Sequence, residues 1–270
     1  MAHPLPLTGE RTLPGVPGEE YWFARHEAAY RWVATTHAAR LRDAVVVEAG
    51  SGEGYGAALL RAAGARVVVA LEYDAAAVAH ARATYADVGT TRANLAAMPL
   101  APGSADVVVT LQVVEHLWDL RGFLRDCATV LRPGGLIVVT TPNRPVFSPG
   151  LGRGERPTNP FHVEELDAEQ LRDLLVGAGL ADVELLGLHH GERIAAWERT
   201  HGSLVAAQVA SVLATTDVTD HRVASRARKR PDDQLHASEL AGFVGSVTAA
   251  DFLVGTADGA QDLLAVAVRP

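Results

Sequence analysis

The stretch Ala44-Val-Val-Val-Glu-Ala-Gly-Ser-Gly-Glu-Gly-Tyr-Gly56 decides the fold. An apolar run, Val45 to Val47, ends in Glu48 and then in four alternate glycines, Gly50, Gly52, Gly54 and Gly56. A helical pattern, Ala57 to Ala63, follows at once. The order reads as a buried parallel strand, a tight turn and a helix. Glycines let the turn adopt positive φ and let a ligand approach the backbone. The helix N-terminus offers unpaired N–H groups to that ligand.

Gly52-x-Gly54-x-x-Ala57 formally fits the dinucleotide fingerprint, a weak signal alone. Glu48 opposes it, because a carboxylate before the loop repels a pyrophosphate and suits an ammonium group. The next strand, Arg66-Val-Val-Val-Ala-Leu-Glu72, also ends in an acid. Glu72 lies about 20 residues past the loop, where a carboxylate accepts both hydroxyls of a ribose. An ammonium and an adenosine ribose without phosphate describe S-adenosylmethionine (SAM).

Glu48-x-Gly50-x-Gly52-x-Gly54 resembles the SAM-binding motif of class I methyltransferases, with Glu72 at that family's ribose position. The resemblance continues through Asn94-Leu95, through Gln112-Val-Val-Glu-His-Leu117, and through Leu131-Arg-Pro-Gly-Gly135. It implies an α/β fold: a doubly wound, Rossmann-like sheet of seven strands in the order 3-2-1-4-5-7-6, with strand 7 antiparallel. It also implies a cofactor site of Glu48, Gly50, Ser51, Gly52, Gly54, Glu72, Tyr73, Asn94, Leu95 and Gln112. Asn94 stands where an acid is common in the adenine-contact segment.

Composition bounds the rest. With 270 residues, 48% of them hydrophobic, the chain has enough for a sizeable core. A formal charge of −8 and a pI near 5.7 give no general basic face for nucleic acid. The basic cluster Arg226-Ala-Arg-Lys-Arg230 reads as a solvated loop. Cys127 is the single cysteine and lies in an amphipathic helical pattern, as a packed thiol does. No apolar run reaches membrane-spanning length and no leader pattern opens the chain, so the expectation is a soluble cytoplasmic protein with no membrane span.

Three regions are expected. Residues 1–40 form an N-terminal arm and a lid helix, in which Tyr21, Trp22, Arg25 and His26 are candidates to close over the cofactor. Residues 41–191 and 251–270 form the SAM-binding core. Residues 192–250 match no part of the methyltransferase sheet and read as a helical cap inserted between strands 6 and 7, with one helix from Ile194 to Leu213 and another from Ser238 to Val247.

Strands four and five end at Gln112-x-x-Glu115-His116 and Thr140-Thr-Pro-Asn143, at the edge where open α/β sheets bind ligands. A long loop then leads to Asn159-Pro-Phe-His162. Methyl transfer to a hydroxyl needs the proton removed, and Glu115, His116 and His162 are the candidates. The pattern resembles small-RNA 2′-O-methyltransferases and ubiquinone-pathway O-methyltransferases, where Glu-x-x-Glu-His holds a divalent metal. Gln112 replaces the first Glu. Glu115, His116 and His162 remain as candidate ligands for Mg²⁺ or Mn²⁺; one carboxylate and two imidazoles suit Mn²⁺, Fe²⁺ or Zn²⁺ better than Mg²⁺. The alternative is that Glu-His orders the loop with no metal.

Over nearly its whole length the chain also resembles actinobacterial methyltransferases linked with methylated polysaccharides of the methylglucose lipopolysaccharide type. Thr8-Gly-Glu-Arg-Thr12, Tyr21-Trp-Phe23, Arg25-His26, Glu115-His-Leu-Trp-Asp119, Phe147-Ser-Pro-Gly150 and Asn159-Pro-Phe-His162 carry that resemblance. It implies a carbohydrate acceptor and O-methylation of a sugar hydroxyl. The alternatives are a small-molecule or quinone O-methyltransferase and, more remotely, an NAD-dependent oxidoreductase or a SAM-binding protein without catalysis.

Overall fold

The computed structural model describes Leu5, residues 11–215 and residues 231–270. The basic cluster 226–230 and most of the 8–12 segment lie outside the described residues.

The helix α1 (Glu20–Thr36) and a short turn of helix, α2 (Ala38–Leu41), lead into β1 (Val45–Ala49). Then α3 (Tyr55–Ala62), β2 (Val67–Glu72), α4 (Ala75–Thr84) and β3 (Gly89–Arg92) complete one half of a doubly wound unit. The other half runs β4 (Ala105–Leu111), α5 (Leu120–Val130), β5 (Leu131–Pro142), α6 (Arg144–Phe147), α7 (Ala168–Gly177) and β6 (Ala181–His190). Three further helices, α8 (Glu192–His201), α9 (Leu204–Thr215) and α10 (Pro231–Val244), precede β7 (Phe252–Thr256) and β8 (Asp262–Val268).

Valine runs make the central strands. β1 lies between parallel β2 and β4, and its side chains pack into cores on both faces of the sheet, Val46 on one and Val47 on the other, so it needs no polar alternation. Asp74 caps α4 by accepting from the Ala76 amide at 2.8 Å. α7 starts at Ala168, where Asp167 and Gln170 form a reciprocal capping box. Gly202, with φ 85°, splits the helix expected over 194–213 into α8 and α9.

The sheet has eight strands among the described residues, ordered β3-β2-β1-β4-β5-β8-β6-β7. This corrects the expected seven. The last strand does run antiparallel between β5 and β6, as expected. The added strand is β7, which pairs antiparallel along the outer edge of β6 before the chain turns back into β8. Only five residues long and carrying Gly255, it has too weak a pattern to stand out from sequence.

Two cores flank the sheet. One joins α5 and α7 to it through Leu124, Cys127, Leu171 and Leu175. Cys127 is fully buried, and burial pushes its thiol far above the ordinary range, in keeping with a packing role. The other joins α3 and the C-terminal half of α1 through Leu60, Tyr30 and Val33. A third cluster ties the N-terminal half of α1 to the inserted segment: Tyr21, Ala24 and Ala28 meet Ile194, Leu204, Val205 and Val244. The first helix therefore bridges sheet and insertion.

Candidate functional site

The glycine-rich turn after β1 is held by backbone bonds, Gly50 and Ser51 both donating to the Leu71 carbonyl at 2.9 and 3.0 Å. Gly50 has φ 86°, and a Cβ there would strike Val113 at 2.5 Å. At Gly52, φ 54°, a Cβ would meet nothing within 4 Å, so the backbone faces open space. Gly54 caps α3 in the left-handed conformation.

Glu48 lies fully buried at the foot of this turn, and neither carboxylate oxygen has a well-formed hydrogen bond. Burial pushes it up to about 8, against the weak opposing pull of Tyr30 and the Ala57 amide. A buried group so poorly satisfied is suited to an incoming cation. Ser51 Oγ is buried and equally unpartnered. Glu72 closes the other side, accepting from the Gly52 amide at 2.9 Å and the Asp74 amide at 2.8 Å. Two backbone bonds leave the carboxylate with lone pairs for hydroxyl donors.

The remaining residues expected at a cofactor lie around the same edge with different exposures. Tyr73 is exposed, its ring facing Arg92. Asn94 accepts from the Ala96 amide at 3.0 Å, which leaves its amide nitrogen as the donor. The Leu95 side chain packs into the α5 core, so only its backbone is available there. Gln112, at φ 57°, has its amide taken up, donating to Thr140 Oγ1 at 3.1 Å and accepting from Arg25 at 3.0 Å. The lid candidates separate. Tyr21 is buried against His190 and Phe252, whereas Arg25 reaches across to the sheet edge, where it forms a buried ion pair with Asp262 beneath Trp22 and Phe147. Burial disfavours the Arg25 charge, but Asp262 outweighs it and raises the pKa.

Beyond β4 and β5 a second cluster forms. Glu115, His116 and His162 bring one ligating atom each within 4.8 Å of one another. The loop carrying His162 is stitched down by Val163, whose amide donates to the Glu115 carbonyl at 2.7 Å. Glu115 is buried, which raises its pKa, while the two histidines oppose the shift. Thr141 Oγ1 donates to its Oε2 at 3.1 Å. His116 Nδ1 meets the Phe161 carbonyl at 3.1 Å. A carbonyl only accepts, so this nitrogen carries the proton and Nε2 keeps a lone pair. His162 Nδ1 meets Glu165 at 2.7 Å, with both side chains buried.

Reading the sequence had pointed to neither Glu165 nor Asp262. The spacing His162-x-x-Glu165 was the available signal for the first. The partner of Arg25 lies 237 residues away, and nothing local marks it.

A family model described as a methyltransferase domain matches residues 47–139. A probable SAM-dependent methyltransferase of Mycobacterium tuberculosis is 46% identical over 98% of this chain and 90% of its own length. One from Mycolicibacterium smegmatis is 46% identical, covering 98% of this chain and 96% of its own. A ubiquinone biosynthesis O-methyltransferase of Caulobacter vibrioides is 33% identical over 46% of this chain and 53% of its own. Among solved structures, a SAM-dependent methyltransferase from Thermotoga maritima superposes with TM-score 0.57 at 17% identity, covering 93% of this chain and 94% of that one, a likeness of fold.

Proposed function

Because the chain belongs to the SAM-dependent methyltransferases, we propose that it transfers the methyl group of SAM to an oxygen acceptor, a sugar hydroxyl of an oligo- or polysaccharide. The observation that carries this reading is the convergence of Glu115, His116 and His162 at the sheet edge. A nitrogen nucleophile that is already neutral needs no base, whereas a hydroxyl does.

In this reading Glu48 faces the methionine ammonium, directly or through water, and Glu72 takes the ribose hydroxyls. Gly50, Ser51, Gly52 and Gly54 line the methionine end. Asn94 and the Leu95 backbone meet the adenine, with Tyr73 beside the ribose and Gln112 contributing through its backbone. The acceptor oxygen attacks the sulfonium methyl in line. A C–O bond forms, the C–S bond breaks with its electron pair going to sulfur, and S-adenosylhomocysteine leaves. The hydroxyl proton goes to an imidazole Nε2. Positioning the acceptor about 3 Å from the methyl supplies much of the rate, and the base about 10²–10⁴-fold more.

The donor set also fits a divalent cation, since one ligating atom from each imidazole and one from the carboxylate lie within 4.8 Å of one another. Glu115, His116 and His162 would hold it, and it would supply Lewis-acid polarisation of the acceptor oxygen.

A sugar acceptor is supported by Trp118, which is 91% exposed two residues from His116. It stands on a cleft shared with Arg121, Arg153, Glu164 and Asp173. An indole face with planar charged groups around it suits a pyranose ring. The inserted helices, packed on α1, form the cap on the acceptor side in this scheme. A quinone or phenol acceptor is the second reading, favoured by the partial likeness to the ubiquinone biosynthesis enzyme.

Incubation with methyl-labelled SAM and a panel of sugar, quinone and phenolic acceptors tests the proposal. Label on a sugar oxygen supports it; label on a phenolic oxygen transfers the assignment to the second reading. Exhaustive EDTA treatment followed by Mn²⁺ addition separates the metal-assisted version, which loses and regains activity, from the imidazole base alone.

A further inference from the structure

Glu53 is the one side chain at the tip of the glycine turn, between Gly52 and Gly54. It turns inward and is only 3% exposed. A buried carboxylate is costly unless donors meet its oxygens. Three donors meet this one. His80 Nε2 lies 2.6 Å from Oε1. The Tyr85 hydroxyl donates to both oxygens, at 3.1 and 2.9 Å. The Tyr55 amide donates to Oε2 at 3.1 Å. An ionised carboxylate only accepts, so Nε2 is a protonated nitrogen of His80. Thr84 Oγ1 lies 3.3 Å from the same nitrogen. Burial and the Glu53 carboxylate push the Tyr85 phenol above its ordinary range, which keeps it a donor at neutral pH.

His80 lies in α4 and Tyr85 at its C-cap, so both belong to the helix that follows Glu72. The turn also presses on that helix. A Cβ on Gly54 would stand 2.9 Å from the Ala81 Cβ and 3.0 Å from the Tyr85 ring, whereas one on Gly52 would meet nothing within 4 Å. One side of the turn is fixed on α4 and the other is left open. The Gly52 amide is tied to Glu72 at 2.9 Å. The turn is thus attached at two points to the β2–α4 unit, and both set its spacing from the Glu72 carboxylate. Glu48 and Glu53, five residues apart, are both buried but oppositely served. The first has two oxygens without a well-formed bond, and the second has both oxygens met.

We infer that Glu53 is a positioning residue for the cofactor: bonded to His80 and Tyr85, it holds the glycine turn at the spacing from Glu72 that SAM requires. Glu53, His80 and Tyr85 act through the backbone of the turn. The inference rests on the reading that this turn holds SAM, and it is independent of the acceptor's chemical class.

Calorimetry with SAM on the full chain tests it, using Tyr85→Phe, Glu53→Gln and the double variant. Tyr85→Phe removes one donor from the carboxylate at nearly constant volume. The Kd for SAM should rise about tenfold, the size of one charge-assisted hydrogen bond. Glu53→Gln should weaken SAM at least as much, since its NH₂ faces donors. Adding Tyr85→Phe to Glu53→Gln should weaken SAM little further, because both changes act through one carboxylate. Denaturant unfolding checks that each variant is folded at the temperature of the titration. A structural role alone would lower stability and leave the Kd of the folded fraction at the wild-type value. Tyr85 is only partly buried, so Tyr85→Phe decides the matter even where Glu53→Gln fails to fold. A wild-type Kd in Tyr85→Phe overturns the inference, as do losses that simply add in the double variant. Wild-type protein that binds no SAM overturns the SAM reading and this inference with it. Normal wild-type binding beside unchanged variants overturns the inference alone.

Discussion

The two sides of the sheet edge are built by different means. The turn between β1 and α3 is local: a carboxylate, three left-handed glycines and a helix start within nine residues, closed by Glu72 from the adjacent strand. The side beyond β4 and β5 is assembled from afar. Arg25 crosses 237 residues to Asp262, Tyr21 crosses 169 to His190, and the His116 ring is held by a carbonyl 45 residues away. In the proposed reading the first side offers backbone and two carboxylates to a ligand common to a whole family. The second side offers side chains held by long-range bonds, where a change of acceptor needs only a change of loop. The difference teaches that the cofactor side and the acceptor side should fail separately.

Stability should show the largest effect. Arg25→Ala leaves Asp262 as a buried charge without its partner, and breaking such a pair costs about 3–5 kcal/mol. Denaturant unfolding should show that loss. A loss within about 0.5 kcal/mol would mean that α1 is not pinned to the edge as described.

Cofactor affinity comes next. Glu72→Ala removes charge-assisted bonds worth about 1.5–3 kcal/mol. Calorimetry with SAM should show that weakening, and unchanged affinity would remove Glu72 from the site.

The pH dependence of SAM binding follows. Glu48 is protonated in the ligand-free protein below about 8, because burial raises its pKa. An ammonium ligand favours the ionised form, so binding expels a proton. Affinity should climb between about pH 5 and 7, by at most about tenfold per unit. The same shift gives the ligand-free fold a stability contribution that is full below the ordinary carboxylate range and lost as pH rises through about 8, since the unfolded Glu48 ionises first. An affinity that stays flat over that window would detach Glu48 from the ammonium.

What was legible from sequence follows the same division. The strand–turn–helix at 44–63 was readable because spacing and residue type determine it within a few positions, and the antiparallel last strand because the family resemblance implied it. β7 was not, because an edge strand of five residues gains its hydrogen bonds from β6 rather than from its own pattern. Glu115, His116 and His162 were readable as chemistry-bearing residues at the ligand edge, and the fold does bring them together. Gln112 was expected at the cofactor from the family resemblance; its amide joins Arg25 to Thr140, a partnership that only tertiary structure creates. Glu165 went unremarked beside Glu164, although one carboxylate turns to Gln170 and the other to His162.

The central claim is that the histidines serve the acceptor and not the cofactor. The direct measurement is made on one preparation of the His116→Ala/His162→Ala double variant, by SAM calorimetry alongside label transfer to the acceptor that the wild-type protein methylates. The account predicts SAM affinity equal to wild type and label transfer reduced by at least about 10²-fold. Wild-type transfer, or SAM binding lost together with transfer in a variant that still folds, would contradict it.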